Sequence, residues 1–220
     1  MNINEIAKLA GVSRATVSRY LNQGYVSEEK KKIIRKVIEE TGYQPSSQAQ
    51  MLRTKKTKLV GVILPKIDSN TISREVAGIS DILTKQGYQL ILANTNNSTE
   101  EELKYLSLFR DNQVDGVIFI ATILTKQHKD MLKEYRVPIV LLGQHLEGYP
   151  CIYQDDYKAA MSLTEELVKS GKKFGYITVT DKDEAVGKKR LSGVEEVLKK
   201  NRIELNSDCV KCGSFTLETG

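Results

Sequence analysis

No tryptophan occurs in these 220 residues, and there are only two histidines, three cysteines and four prolines. Three cysteines cannot build the disulfide framework of a small secreted domain. Cys209 and Cys212 have the spacing of a redox pair or half a zinc site. A zinc site needs two further ligands, and Cys151, His128 and His145 are scattered. The expectation is therefore of small, buried or half-buried thiols. No apolar run approaches the roughly 18 residues of a membrane span. The start, "MNINEIAKLAG", has no apolar stretch behind a basic one, so it does not read as a secretory signal, and the expected location is the cytoplasm. Enzyme signatures are missing too. The first strand-like run leads into "VILPKIDSN" rather than a glycine-rich phosphate loop, and there is no serine elbow. Neither catalysis nor a cofactor is expected.

Net positive charge is absent over most of the chain and confined to one end. Residues 1–58 hold 12 Lys or Arg against 5 Asp or Glu, whereas residues 59–220 hold 21 against 23. The first quarter alone is cationic, which points to an anionic polymer as its partner.

Apolar spacing is helical up to Tyr43. Ile6, Ala7, Leu9 and Ala10 form one face closed by Gly11, and Val17 and Leu21 belong to a second short helix. Ser27 can cap a third, with Ile33, Ile34, Val37 and Ile38 facing inward and Gly42 and Pro45 ending it. Two short helices joined by "AGVS" read as a helix-turn-helix. Ser13, Arg14, Thr16, Ser18, Arg19 and Asn22 lie on the outer face of its second helix, a set of phosphate and base-edge donors. After Lys58 the pattern changes. The runs "LVGVIL", "QLILAN", "GVIFIA" and "PIVLLG" read as buried parallel strands, separated by helical stretches at about 71–86, 99–112 and 126–134. That alternation predicts a doubly wound α/β lobe. A second round starts near Cys151, with helices at 157–170 and 184–201 around a strand at 174–180, and reads as a partial lobe.

The segment "NEIAKLAGVSRATVSRYLNQGYVSEEKKKIIRKVIEETGYQPSSQAQMLR", with "VDGVIFI" and "PIVLLG" beyond it, resembles the LacI/GalR family of bacterial repressors over essentially the whole chain. The resemblance implies a helix-turn-helix headpiece over 1–45, a hinge helix or linker over 46–57, and an N-terminal core lobe of periplasmic-binding-protein type over 58–150. A partial C-terminal lobe over 151–220 would follow, because full-length members of the family continue further. Arg14, Ala15 and Arg19 would then read bases. An arginine grips guanine O6 and N7, and an alanine methyl meets thymine. Ser13, Thr16, Ser18, Asn22 and Tyr25 would hold phosphates. The family's hinge helix pairs with its copy and drives a leucine into the minor groove. This gives a use to the otherwise puzzling apolar pair Met51 and Leu52 beside Arg53, Lys55 and Lys56. Leu52 would be the wedge and Ala49 the point of close approach. Ser46 and Gln50 depart from the family's frequent Asn and Arg.

The same resemblance places an effector cleft at Lys66, Ser69, Thr71 and Ile72 after the first strand, and at Arg190, with Gly193, in "GKKRLSG". Tyr153 and Asp155 or Asp156, near the crossover, would complete it, although Asp156, just before the next helix, can equally cap it. Lys66, Lys188, Lys189 and Arg190 together would make a cationic lining. With a likeness to trehalose- and sucrose-operon repressors, this favours a sugar or sugar phosphate, and a phosphorylated disaccharide in particular. The implied function is a homodimeric, operator-binding repressor without membrane contact. An exported or cytosolic sugar-binding protein of the same core fold, and a truncated DNA-binding relic that senses nothing, remain as alternatives.

Overall fold

The computed structural model describes residues 1–44, 56–111, 114–216 and 219. The chain divides into two compact units, Met1–Thr57 and Lys58–Gly220.

The first unit contains helices α1 (Ile3–Leu9), α2 (Arg14–Leu21) and α3 (Glu28–Thr41). Asn2 opens α1 through a reciprocal cap: its side chain accepts from Asn4 and Glu5 N–H, and Glu5 Oε2 accepts from Asn2 N–H at 2.9 Å. Gly11, at φ 62°, makes the left-handed turn out of α1. Ser13 caps α2 by accepting from Thr16 N–H at 3.2 Å. Ser27 occupies the cap position of α3 but makes no side-chain bond there. Ile6, Ala7, Ala10, Val17, Val26 and Ile34 form the core. Two expected core residues are not in it: Leu9 is 58% and Ile33 42% exposed. Ile33 precedes the buried Ile34 and is rotated from it by about 100°. On α1, Ala7 and Ala10 take the crossing and leave Leu9 at its edge.

The second unit begins with β1 (Leu59–Leu64), α4 (Asn70–Lys85), β2 (Gln89–Asn94), α5 (Thr99–Asp111), β3 (Gly116–Ile120), α6 (Lys126–Lys133), β4 (Ile139–Leu142) and β5 (Cys151–Ile152). The strands form one parallel sheet in the order β2-β1-β3-β4-β5. Alternation along β1 sends Ile63 to one face, where Leu106, Phe109, Phe119, Leu132 and Leu141 pack. Val62 and Leu64 go to the other, under Ile72, Val76 and Ile79 of α4. The chain runs outward from β1 to β2 and returns to β3 on the other side, so the ends of β1 and β3 diverge into a crevice.

The second lobe follows with α7 (Asp156–Leu167), β6 (Tyr176–Thr178), a π-helical turn (Glu184–Lys189), α8 (Arg190–Lys200), a 3-10 turn (Ser207–Cys209) and β7 (Val210–Cys212), which pairs parallel with β6. The single helix expected over 184–201 is thus a π turn feeding an α-helix. Cys209 and Cys212, expected to be at least half-buried, are both exposed. No helix among the described residues is long and apolar enough to cross a membrane.

Candidate functional site

On α2 the structure brings Arg14, Ala15, Arg19 and Asn22 to the surface, with Ser13 just before the helix and Tyr25 beyond it at 90% exposure. Val17 anchors the opposite face and is fully buried. Thr16 and Ser18 are half-buried and partly committed to the helix itself. The Ser13 and Thr16 hydroxyls lie 2.9 Å apart, and the Asn22 amide donates to the Ser18 carbonyl. A short helix held from behind, with two guanidinium groups and an alanine methyl on its outer face, can enter a major groove. Ala49, Leu52 and their neighbours Ser46, Gln50 and Met51 lie outside the described residues.

In the α/β unit a cavity of about 510 Å³ opens at the crevice above β1 and β3, within the range of small-molecule sites. Lys66, Ser69, Thr71, Ile72, Tyr153 and Arg190 all line it. Asp155 does not. It caps α7, accepting from Lys158 N–H at 3.1 Å and pairing with Lys158 Nζ at 3.2 Å. The Lys158 backbone N–H, more than any other partner, holds its carboxyl below the usual range. Asp156 takes the inward position instead: it is 5% exposed, and Arg190 Nε donates to its Oδ1 at 2.6 Å. The two aspartates thus have distinct roles, a cap and a fixed support for the arginine. Gly193 is a packing residue, since any side chain there would strike the Tyr157 carbonyl where α8 crosses α7.

The cationic lining expected from the sequence shrinks to Lys66 and Arg190. Lys188 pairs with Glu184 at 3.2 Å on the outer surface, one turn away on the same element. Lys189 sits 5.7 Å above the Tyr153 ring but is not part of the wall.

Six polar wall residues carry no signal picked out in the sequence: Glu75, Asn97, Thr122, Gln144, Gln154 and Asp183. Gln144, after β4, donates from Nε2 both to the Thr122 carbonyl at 2.7 Å and to Asp183 Oδ1 at 2.8 Å. Asp183 also accepts from the N–H groups of Ala185 and Val186, opening the π turn. Glu75 projects from α4, and burial pushes its carboxyl above the usual carboxylate range. In the wall behind the sheet, fully buried Glu102 and His128 face each other at 3.2 Å. No cluster of three or more potential metal ligands occurs among the described residues.

Comparison with known proteins agrees with both units. Residues 2–46 match the family described as bacterial regulatory proteins, lacI family, and residues 57–220 match the periplasmic binding proteins and sugar binding domain of the LacI family. The sucrose operon repressor of Staphylococcus xylosus is 35% identical over 204 residues, which is 92% of this chain and 64% of that protein. Catabolite control protein A of Priestia megaterium is 33% identical over 225 residues, covering 100% of this chain and 68% of its own length. The crystal structure of the transcription regulator CcpA of Lactococcus lactis superposes with a TM-score of 0.66 at 35% identity, over 73% of this chain and 60% of that one. The chain therefore spans about two thirds of the length of these relatives, which are transcription regulators. From the headpiece through the α/β unit, this chain belongs to the lacI family of bacterial regulatory proteins.

Proposed function

We propose that the protein is a sequence-specific, DNA-binding repressor of a sugar-utilisation operon. It acts in the cytoplasm as a homodimer, and a sugar or sugar-phosphate effector modulates its grip on the operator. The observation that carries the DNA-binding reading is the outer face of α2, where Arg14, Ala15 and Arg19 stand exposed over a buried Val17. The named relative that regulates a sucrose operon favours a sugar as signal. The 510 Å³ cavity, remote in sequence from α2, supplies a place for it.

In this reading residues 1–45 recognise DNA and 46–57 form the hinge, with Leu52 as minor-groove wedge and Ala49 at the hinge–hinge contact. Residues 58–150 and 151–220 supply the two walls of the effector cleft. A surface for the second copy is available on the α/β unit. Helix α4 has no fully buried residue, Ile82 is 61% exposed, and Ile91 and Leu92 are exposed on the edge strand β2. Large apolar side chains gathered at a sheet edge favour self-association. Two-fold pairing then makes the operator a pseudo-palindrome, and one wedge per subunit favours a flexible pyrimidine–purine step at its centre. Selection from a random duplex library, followed by footprinting at fixed salt, checks this. The expected product is two inverted half-sites protected together. Recovered sites without two-fold symmetry would sink the proposal.

A further inference from the structure

The walls of the effector cavity carry two basic side chains, Lys66 and Arg190, against three acidic ones, Glu75, Asp156 and Asp183. The basic pair is already partly occupied. Arg190 Nε is held by Asp156 at 2.6 Å, and Lys66 Nζ lies 3.7 Å from Asp68. Asp183 is committed to Gln144 and to two backbone N–H groups. Glu75 is different. It lines the cavity, yet its Oε2 is buried and no group among the described residues donates to it. A carboxyl so placed is short of solvation, consistent with the upward displacement of its pKa by burial.

We infer that this cavity takes an uncharged, polyhydroxylated sugar rather than its phosphate ester, and that Glu75 enforces the choice. The inference rests on the effector reading of the same cavity and narrows its ligand. A phosphate group offers oxygens that accept and carries close to two negative charges at neutral pH. It brings no donor for Glu75 and sets like charge beside a carboxyl that is already poorly solvated. A sugar hydroxyl donates and accepts, so it supplies what the Glu75 carboxyl lacks and adds no charge. Arg190, with Nε anchored, can direct its remaining N–H groups at vicinal hydroxyls. Tyr153 and Phe215, both in the wall, give the ring's C–H face an apolar surface.

Calorimetric titration with glucose, fructose, sucrose, trehalose and cellobiose, each beside its 6-phosphate, tests the assignment. The expected result is that the tightest ligand is an uncharged sugar, bound at least about tenfold better than its ester. Glu75→Gln keeps the shape and a hydrogen-bonding head but removes the charge. It should leave that sugar within about threefold and improve the ester several-fold, narrowing the gap. Glu75→Leu should cost the sugar about tenfold or more, with a melting profile confirming the fold. Tighter binding of an ester by the unsubstituted protein, abolished by Arg190→Ala, would overturn the ligand class while leaving the effector site standing. Binding of no member of either panel would overturn the effector reading and this inference together.

Discussion

Two carboxylates sit where a periodic sequence would place leucines. Glu102 shares the inward stripe of α5 with Leu106 and Phe109, at i, i+4 and i+7, and Glu75 shares that of α4 with Ile72, Val76 and Ile79. Glu102 has its ionisable partner behind the sheet rather than in the cavity. Thr125 N–H donates to His128 Nδ1 at 3.3 Å, and Nε2 of the same ring faces Glu102 Oε2 at 3.2 Å. Thr122 Oγ1 donates to the other carboxylate oxygen at 3.4 Å, and Phe119 stacks on the imidazole. Glu102→Ala should therefore destabilise the α/β unit by about 3 kcal/mol, because it strands a buried polar partner, and Glu102→Gln by roughly 1 kcal/mol. Denaturant titration measures both, and an alanine variant within about 0.5 kcal/mol of the parent would show the pair to be idle. The sequence carried half of this signal. A glutamate in phase with a buried stripe is visible from spacing, whereas the identity of its partner depends on a contact between α5 and α6.

At the scale of elements, continuous apolar runs located β1 to β4 to within a residue, since a strand buried on both faces has no use for polar side chains; β2, expected to be buried, instead lies at the sheet edge with Ile91 and Leu92 exposed. The two-residue β5 is too short to leave a period, and Asp155 rather than Asp156 caps α7 because a cap is set by the backbone angle at one position. Gly61, in the middle of β1, shows how packing is written into one residue type. The first carbon of any side chain there would lie 2.5 Å from Phe109 Cδ2, so α5 can lie against the sheet only while residue 61 has none. Gly61→Ala should cost about 1–3 kcal/mol through overpacking, and adding Phe109→Leu should return part of the loss by freeing the ring's space. Strictly additive costs in a two-mutant thermodynamic cycle would contradict this contact.

For the whole molecule, the question is how a ligand in the cavity reaches DNA recognition through the chain. Gln144 is the polar link across the cavity wall: it belongs to the first lobe through Thr122 and to the second through Asp183, and its residue is 5% exposed. Asp183 in turn holds the first N–H groups of the π turn that leads directly into Arg190. In the proposed function, a ligand gripped by Arg190 on one side and by the residues after β1 on the other would therefore work on lobes that Gln144 already ties together. The strand β1 begins at Leu59, immediately beyond the segment proposed as the hinge, so in the proposed function the position of the first lobe would bear on whether hinges from two subunits can meet. A ligand shifts this balance only by binding one lobe arrangement more tightly than the other. Coupling of this kind is typically ~1–3 kcal/mol, a change of about 5- to 150-fold in operator affinity, and release on binding is the expected direction. Gln144→Ala removes the tie without touching α2 or Arg190. Operator affinity without sugar should stay within about threefold of the parent, while the sugar-induced change should fall to less than half its logarithmic size. Fluorescence anisotropy on a labelled operator, with and without saturating sugar, measures both numbers. An unchanged response to sugar would mean that the lobes communicate without Gln144.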